Sequence, residues 1–414
     1  MSKIRIKNFG PIKEGYLEND GWIDIKKVTV FIGNQGSGKS TVAKLISTLS
    51  WIEKSLYREN STKSEVKRKP KFQNYYCDYQ NLKNYFQQNS EIEYVGDAFT
   101  MHYKDGRLNI QDNRSSRDDY AVPKIMYVPA ERNFVSAVSQ PDKLKYLPKP
   151  LYTFLDEFER SKQELSESIS LPINNLKFHY DKKKSESKII GNSHELLLSE
   201  GSSGLQSLIP LYLVSKNLAE GINSISDNSK NKASLDEMKI LRQRVIKVLT
   251  NPKLTEELRL SAIDILSSLT KNDCFLNIVE EPEQNLFPTS QWSILKSLLN
   301  FNNMEEDNKL IMTTHSPYII NYLTLAIKAN FVYKKMIETV NNIELSKKIN
   351  DIVPSNSRVN STDVVIYELD EISGKIKRLK DYEGLPSDEN YLNEKMAENN
   401  EMFSKLLDIE DLCR

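Results

Sequence analysis

Apolar and polar residues alternate at Ile4-Arg5-Ile6-Lys7, a period of two that predicts a strand with one covered face. Asn8-Phe9-Gly10-Pro11 then turns the chain, and Tyr16-Leu17-Glu18 and Trp22-Ile23-Asp24-Ile25 predict further short strands. Val28-Thr29-Val30-Phe31-Ile32 lacks alternation; a β-branched and aromatic run of this kind predicts a parallel strand buried on both faces. Ile125-Met126-Tyr127-Val128, Phe275-Leu276-Asn277-Ile278-Val279 and Lys309-Leu310-Ile311-Met312-Thr313-Thr314 have the same character. Ile92-Glu93-Tyr94-Val95, Phe99-Thr100-Met101-His102-Tyr103 and Leu108-Asn109-Ile110 predict an antiparallel set with Lys104-Asp105-Gly106 as a hairpin turn.

Helical spacing appears after residue 40 and again within 75–85, 149–170 (Leu151, Phe154, Leu155, Phe158) and 206–219, despite Pro210. A Ser/Asn-rich loop is expected over 221–232. Ser234-Leu235-Asp236-Glu237 reads as a capping box opening a helix with Leu241, Val245, Val248 and Leu249 on one face. A second helix is expected from about 255 to 269. Near the end, Val364-Val365-Ile366-Tyr367-Glu368 and Lys375-Ile376-Lys377 predict a hairpin around Ser373-Gly374, followed by an amphipathic helix over 389–407. Strands interleaved with helices place the chain in the α/β class.

With 414 residues the chain exceeds what one compact core usually supports, so one large α/β domain with a helical elaboration is expected. Fifty-seven basic residues balance 57 acidic ones, which leaves no overall field to draw the chain onto nucleic acid. The basic stretch at Lys63, Lys67, Arg68, Lys69 and Lys71 could touch a phosphate backbone, although a solvated loop is the reading the neutral chain favours. Asp181-Lys182-Lys183-Lys184 reads as a solvated turn. Cys77, Cys274 and Cys413 form no Cys-x-x-Cys pair, which argues against disulfides or cysteine-only zinc. Neither a signal peptide nor an apolar run of membrane length is visible, so a soluble cytoplasmic protein with no membrane partner is expected.

The chemistry concentrates at Gly33-Asn34-Gln35-Gly36-Ser37-Gly38-Lys39-Ser40, between the buried strand and a helix opening at Thr41. Glycines 33, 36 and 38 free the backbone to adopt positive φ, so that successive N–H groups converge on phosphate oxygens. The helix N-terminus adds its unpaired amides. Lys39 is expected to reach the β- and γ-phosphates of ATP, and the Ser40 hydroxyl to hold Mg2+. The strand 275–279 ends in Glu280-Glu281: the first acid suits a water-mediated magnesium contact, the second an attacking water. Most phosphate-loop ATPases have aspartate at the first position, so Glu280 is a departure. His315, at the end of the strand 309–314, is placed to donate to the γ-phosphate or to that water.

Together, the phosphate loop, Val279-Glu280-Glu281-Pro282-Glu283 and Thr313-Thr314-His315-Ser316-Pro317 resemble the ABC-type ATPases of the SMC/RecN/OLD-like branch. Leu198-Ser199-Glu200-Gly201-Ser202-Ser203-Gly204-Leu205-Gln206 resembles that branch's serine-glycine signature. The resemblance implies an ABC ATPase head: a P-loop core sheet with an antiparallel β subdomain and helical insertions. It implies that Ser202, Ser203 and Gly204 meet the γ-phosphate held by a neighbouring copy, giving a homo-oligomer, either an ATP-sandwich dimer or a higher assembly such as a hexamer. Tyr127-Val128-Pro129-Ala130-Glu131-Arg132 stands where the branch has its Q-loop but contains no glutamine, which leaves open whether Glu131 or Arg132 senses magnesium or a neighbour.

Within the branch the chain looks most like ATPase components of bacterial anti-phage systems, the AriA family of PARIS-type defence first, with Septu PtuA and retron-associated ATPases close beside it. That likeness implies a sensor and scaffold that holds a separate TOPRIM-like effector nuclease and releases it on meeting a viral trigger protein. Glu368-Leu369-Asp370 superficially resembles a TOPRIM metal pair, but the remaining chain offers no room for that fold. The expected organisation is an N-terminal ATPase lobe (1–135), a signature-bearing helical region (136–272), a C-terminal ATPase core (273–330) and a terminal hairpin and helix (331–414). The helices over 234–269 are expected to offer a protein-contact surface, with packing on the ATPase core an equal alternative. A RecF-like DNA-binding repair ATPase is the alternative from another class.

Overall fold

The computed structural model describes residues 2–113, 119–138, 146–223, 271–340 and 342–412, with 243, 245 and 246 between them. Four strands open the chain: β1 (Lys3–Phe9), β2 (Gly15–Tyr16), β3 (Ile23–Asp24) and β4 (Val28–Gly33). Helix α1 (Lys39–Tyr57) follows, then β5 (Phe86–Val95), β6 (Phe99–Lys104), β7 (Arg107–Asp112) and β8 (Pro123–Val128). Helix α2 (Lys149–Glu164) leads to β9 (Ile169–Ser170), β10 (Lys177–Asp181), β11 (Glu186–Ile190) and β12 (Glu195–Leu197), and then to helix α3 (Ser203–Asn223). Next come β13 (Cys274–Glu280), α4 (Pro288–Asn302), β14 (Lys309–Thr314), α5 (Pro317–Thr339) and α6 (Ile343–Ile352). The hairpin β15 (Val364–Leu369) and β16 (Lys375–Arg378) and helix α7 (Tyr391–Leu412) complete the described chain.

The core sheet runs β2-β16-β15-β4-β14-β13-β8, and a separate antiparallel sheet runs β3-β1-β5-β6-β7. Strands β8, β13, β14, β4 and β15 are mutually parallel. This is the α/β class expected, with a P-loop core sheet beside an antiparallel β layer. The terminal hairpin forms as its pattern predicts, and its first strand lies directly against β4.

Every residue of β4 is buried. Val28, Val30 and Ile32 face a cluster with Leu208, Leu295, Leu310 and Ile320 from the helical side, whereas Phe31 faces Ile4, Val42, Ile46 and Tyr94 on the side of the antiparallel sheet. A strand covered on both faces has no polar positions to alternate, which is why its sequence reads as one apolar run. Helix α1 lies in the second layer and is buried around most of its circumference, Leu45, Ile46, Leu49 and Ile52 among its buried residues. At roughly 1.5–3 kcal/mol per fully buried large apolar side chain, this interlayer packing fixes where α1 starts and hence where the loop before it sits.

Glu53, on α1, is 1% exposed; its carboxylate accepts from Ala98 N (2.8 Å), Phe99 N (3.1 Å) and the Tyr94 hydroxyl (2.8 Å). Burial raises its pKa to about 7, against the opposing hydrogen bonds from Ala98, Tyr94 and Phe99, with Asp97 adding to the rise. The folded chain therefore holds a proton that the unfolded chain releases above its ordinary value near 4.5. Stability contributed here is present below that value and is lost as pH rises through about 7. Glu53→Gln is expected to flatten the fall in stability between those limits, about 3 kcal/mol in all, in urea unfolding at a series of pH values.

The pattern misread several segments. Residues 75–85 do not form one helix: Phe72–Cys77 is a π turn and Lys83–Tyr85 a short 3-10 turn, because Phe72, Tyr76 and Leu82 are drawn into the core at spacings one regular helix does not give. The four-stranded sheet β12-β11-β10-β9 was not anticipated, although Phe178, Tyr180 and Ile189 do alternate inward. The turn at Lys182–Lys184 forms between β10 and β11 as expected. Helix α3 is continuous through Pro210 and extends to Asn223, past the start of the loop expected at 221, because Leu208, Ile209, Leu211 and Val214 are buried. Of the helices expected over 234–269 only residues 243, 245 and 246 are described, and these are helical; the capping box and Cys413 lie outside the described residues. No helix among the described residues is long and apolar enough to cross a membrane.

Candidate functional site

Parallel register delivers the candidate residues to one edge. Thr314 lies beside Ile32 and Glu280 beside Thr313, so the chain leaves β4 into the phosphate loop, β14 into His315 and β13 into Glu281 at the same end of the sheet. Leu369 lies beside Gly33, which brings the end of β15 to that edge too.

Gly33, Gly36 and Gly38 have φ of 143°, 78° and 102°, so the loop uses the left-handed conformations its glycines allow. A Cβ on Gly33 would meet Leu369 O at 2.3 Å, so Gly33→Ala is expected to lower stability by about 3 kcal/mol in denaturant unfolding. Asn34, Gln35 and Gly36 are exposed at the loop tip, whereas Ser37, Gly38, Lys39 and Thr41 are buried and Ser40 is half-buried. Helix α1 starts at Lys39, whose Nζ donates to Gly33 O (2.9 Å) and Asn34 O (2.8 Å). Burial lowers the Lys39 pKa to about 8, and Glu281, Glu283 and Glu280 oppose that fall.

Glu280 is 5% exposed; Oε2 accepts from Ala130 N at 3.2 Å, and Oε1 is buried without a hydrogen bond. Glu281 adopts a positive φ of 44°, unusual for a residue with a side chain, and its N–H donates to Thr313 O at 2.9 Å. Its carboxylate lies 3.7 Å from His315 Nε2. Burial and then Glu280 raise the Glu281 pKa, while Arg132 and Lys39 lower it. The His315 imidazole is held toward its neutral form by burial and by Lys39. Glu283, which the sequence offered only as part of an acidic run, accepts from His315 N at 2.7 Å through Oε1 and leaves Oε2 buried without a well-formed hydrogen bond.

The signature stands at the start of α3. Ser202 and Ser203 are exposed there, Leu205 N approaches Ser202 Oγ at 3.4 Å, and Gly204 is buried against the loop after β13, where a Cβ would meet Asn285 O at 2.6 Å. Glu131 and Arg132, undecided in the sequence, part company: Glu131 faces solvent, and Arg132 is wholly buried. Sequence reasoning also missed a tie between the phosphate loop and the terminal segment: Asn34 Nδ2 donates to Glu371 Oε1 (3.0 Å), which also accepts from the Tyr391 hydroxyl (3.3 Å). Glu368 accepts from Tyr391 N (2.8 Å) at the start of α7 and Asp370 from Ser373 N and Oγ within the hairpin turn, so both acids of the Glu-Leu-Asp run are engaged within the chain.

The orphaned oxygens are informative. Ser37 Oγ, Glu280 Oε1 and Glu283 Oε2 are buried near the loop without a well-formed hydrogen bond, the Tyr127 and Thr314 hydroxyls being the neighbours of the two carboxylates. Such groups are costly unless something bound completes them. A hard, oxygen-seeking cation such as Mg2+ fits this donor set.

No family model matches this chain, and no curated protein matches it. Solved structures do. The SMC head domain from Thermotoga maritima aligns at 13% identity over 77% of this chain and 90% of its own, with a TM-score of 0.32. An SMC head bound to the C-terminal winged-helix domain of ScpA aligns at 10% identity over 77% and 90%, with a TM-score of 0.34. A dimeric ATP-binding cassette in a post-hydrolysis state, bound to ADP and Pi, aligns at 12% identity over 92% and 100%, with a TM-score of 0.29. At such scores these likenesses carry no weight for mechanism, which is read from the residues of the site itself.

Proposed function

We propose that this chain is an ABC-type ATPase whose sites are completed between copies, and that it serves as the sensor and scaffold of an anti-phage system. The observation that supports the catalytic part is the delivery of Lys39, Glu280, Glu281 and His315 to one end of the sheet by strands in parallel register.

In this reading the loop amides of 33–41 and the N-terminus of α1 cradle the phosphates of ATP, and Lys39 leaves its two carbonyl partners to pair with the β- and γ-oxygens. Ser40 and Glu280 would hold Mg2+, which neutralises phosphate charge when bound. Glu281 orients the attacking water and takes its proton. The neutral His315 donates to the γ-phosphate and is held in place through its backbone by Glu283. Ser202, Ser203 and Gly204, exposed at or buried beside the start of α3, complete the γ-phosphate site of a neighbouring copy. Hydrolysis removes the phosphate that bridges the copies, so ATP acts as an assembly signal.

Sensing of a viral protein and release of a separate TOPRIM-like nuclease extend this reading by resemblance to the AriA family. The engagement of Glu368 by the start of α7 and of Asp370 in the hairpin turn supports an effector on another chain. The basic stretch is partly occupied within the chain, with Lys63 paired to Asp112 and Lys71 over the Tyr75 ring, so DNA is not the favoured partner. The test is phosphate release from Mg-ATP by the purified chain, with light scattering in ATP and in ADP. Turnover together with an ATP-dependent rise in mass is expected; absence of both would overturn the reading. Duplex DNA that accelerated turnover with a steep salt dependence would move the assignment to a RecF-like repair ATPase.

A further inference from the structure

Arg132 is 0% exposed; among the described residues it makes no side-chain ion pair in hydrogen-bonding contact, and its bonds run to backbone carbonyls. Nη2 donates to Glu281 O (2.6 Å), Nη1 to Glu280 O (2.7 Å) and Pro129 O (3.3 Å), and Nε to Ser207 O (3.2 Å). One guanidinium thus joins three segments: the turn after β8, the end of β13, and the second turn of α3.

These acceptors matter because of what they belong to. Glu281 holds a left-handed backbone, an uncommon conformation for a residue with a side chain. Its N–H donates to Thr313 O and its carbonyl accepts from Arg132, so the peptides on both sides of Glu281 are held, and they set the direction of the carboxylate 3.7 Å from His315. Ser207 lies one turn beyond Gly204 on the signature helix, and the two elements meet again where Asn285 Nδ2 reaches Ser207 Oγ (3.4 Å) and Gly204 presses on Asn285 O. A planar cation with five donors in a fixed fork can span carbonyls of several segments at once, whereas lysine's three donors radiate from one atom and reach only carbonyls close to each other.

We infer that Arg132 is a positioning residue that locks the Glu281 peptide in its left-handed turn and ties that lock to the signature helix. Engagement of one copy's signature by another's phosphate is thereby transmitted, within the same chain, to the glutamate that directs water. This rests on the ATPase reading above and adds a route by which assembly sets the chemistry.

The test compares Arg132→Lys and Arg132→Met with the unaltered chain in ATP affinity, kcat, KM and backbone hydrogen exchange. The lock predicts ATP affinity within about threefold of the unaltered chain, a kcat at least 30-fold lower in Arg132→Met, and partial recovery in Arg132→Lys. It also predicts that ATP slows exchange at 203–210 and 281–286 together in the unaltered chain, whereas in Arg132→Lys only 203–210 responds. Equal kcat in a folded Arg132→Lys, or coupled exchange that survives it, would overturn the inference. Should Arg132→Met not fold, the lysine variant decides. A wild-type chain that lacks turnover defeats the ATPase reading instead; the lock then stands or falls on whether Arg132→Lys loosens exchange at 281–286.

Discussion

Glu281→Gln should leave ATP binding intact, lower turnover about 100- to 10,000-fold, and accumulate ATP-bound oligomers. The substitution is nearly isosteric, so the pinned backbone, with its N–H on Thr313 O and its carbonyl on Arg132, has no cause to move. What disappears is an acceptor able to take a proton from water. The environment favours that role: burial and Glu280 raise the carboxyl's proton affinity, which brings it closer to that of a useful base, while Lys39 and Arg132 keep the rise in check. If ATP bridges copies and only hydrolysis removes the bridge, a variant that binds without cleaving should stay assembled. Light scattering in ATP, with single-turnover phosphate release, measures both effects. Turnover equal to that of the unaltered chain would assign the base elsewhere, and Glu283 would be the next residue to vary, since its Oε2 is also buried without a well-formed hydrogen bond.

The parts of this site legible in the sequence are those whose signals are contiguous. A phosphate loop is eight residues long, and its glycines declare themselves because no other residue takes those φ values cheaply. The acidic strand end and His315 are legible for a related reason: a strand buried on both faces has no alternation, and the first ionisable residue after such a run marks the strand end. The roles of Arg132 and Glu283 were not legible, because their partners are main-chain atoms of distant segments and a backbone carbonyl or amide has no letter. The bond from Asn34 to Glu371 spans 337 positions, and only the pairing of β15 beside β4 brings its ends together. The sheet β9–β12 escaped for a third reason. Its strands are two to five residues long and bury few side chains, too little for a period of two to stand out.

Lys39→Ala should abolish measurable nucleotide binding, with ATP affinity reduced about 100- to 1,000-fold, while the fold is retained. Both halves follow from the geometry. Lys39 opens α1, where alanine is the best helix former, and the neighbouring helix residues are held by packing between two sheets rather than by this side chain. In the structure Nζ caps two carbonyls, Gly33 O and Asn34 O, and their loss costs roughly 1 kcal/mol each at a partly solvated loop. The ligand loses more. A charged donor on a phosphate oxygen contributes roughly 1.5–3 kcal/mol, and two such contacts near the lower figure, about 3–4 kcal/mol together, account for the 100- to 1,000-fold range. Three glutamates, 280, 281 and 283, also stand close enough to Lys39 to raise its pKa. Without the ammonium, their charge would face the triphosphate with less opposition, since the donors of Arg132 are already committed to carbonyls. Calorimetric titration with ATP, beside circular dichroism and thermal unfolding, separates the two halves. A folded Lys39→Ala chain with the affinity of the unaltered one would mean that the loop amides alone hold the phosphates, and that the cation serves the loop's own carbonyls.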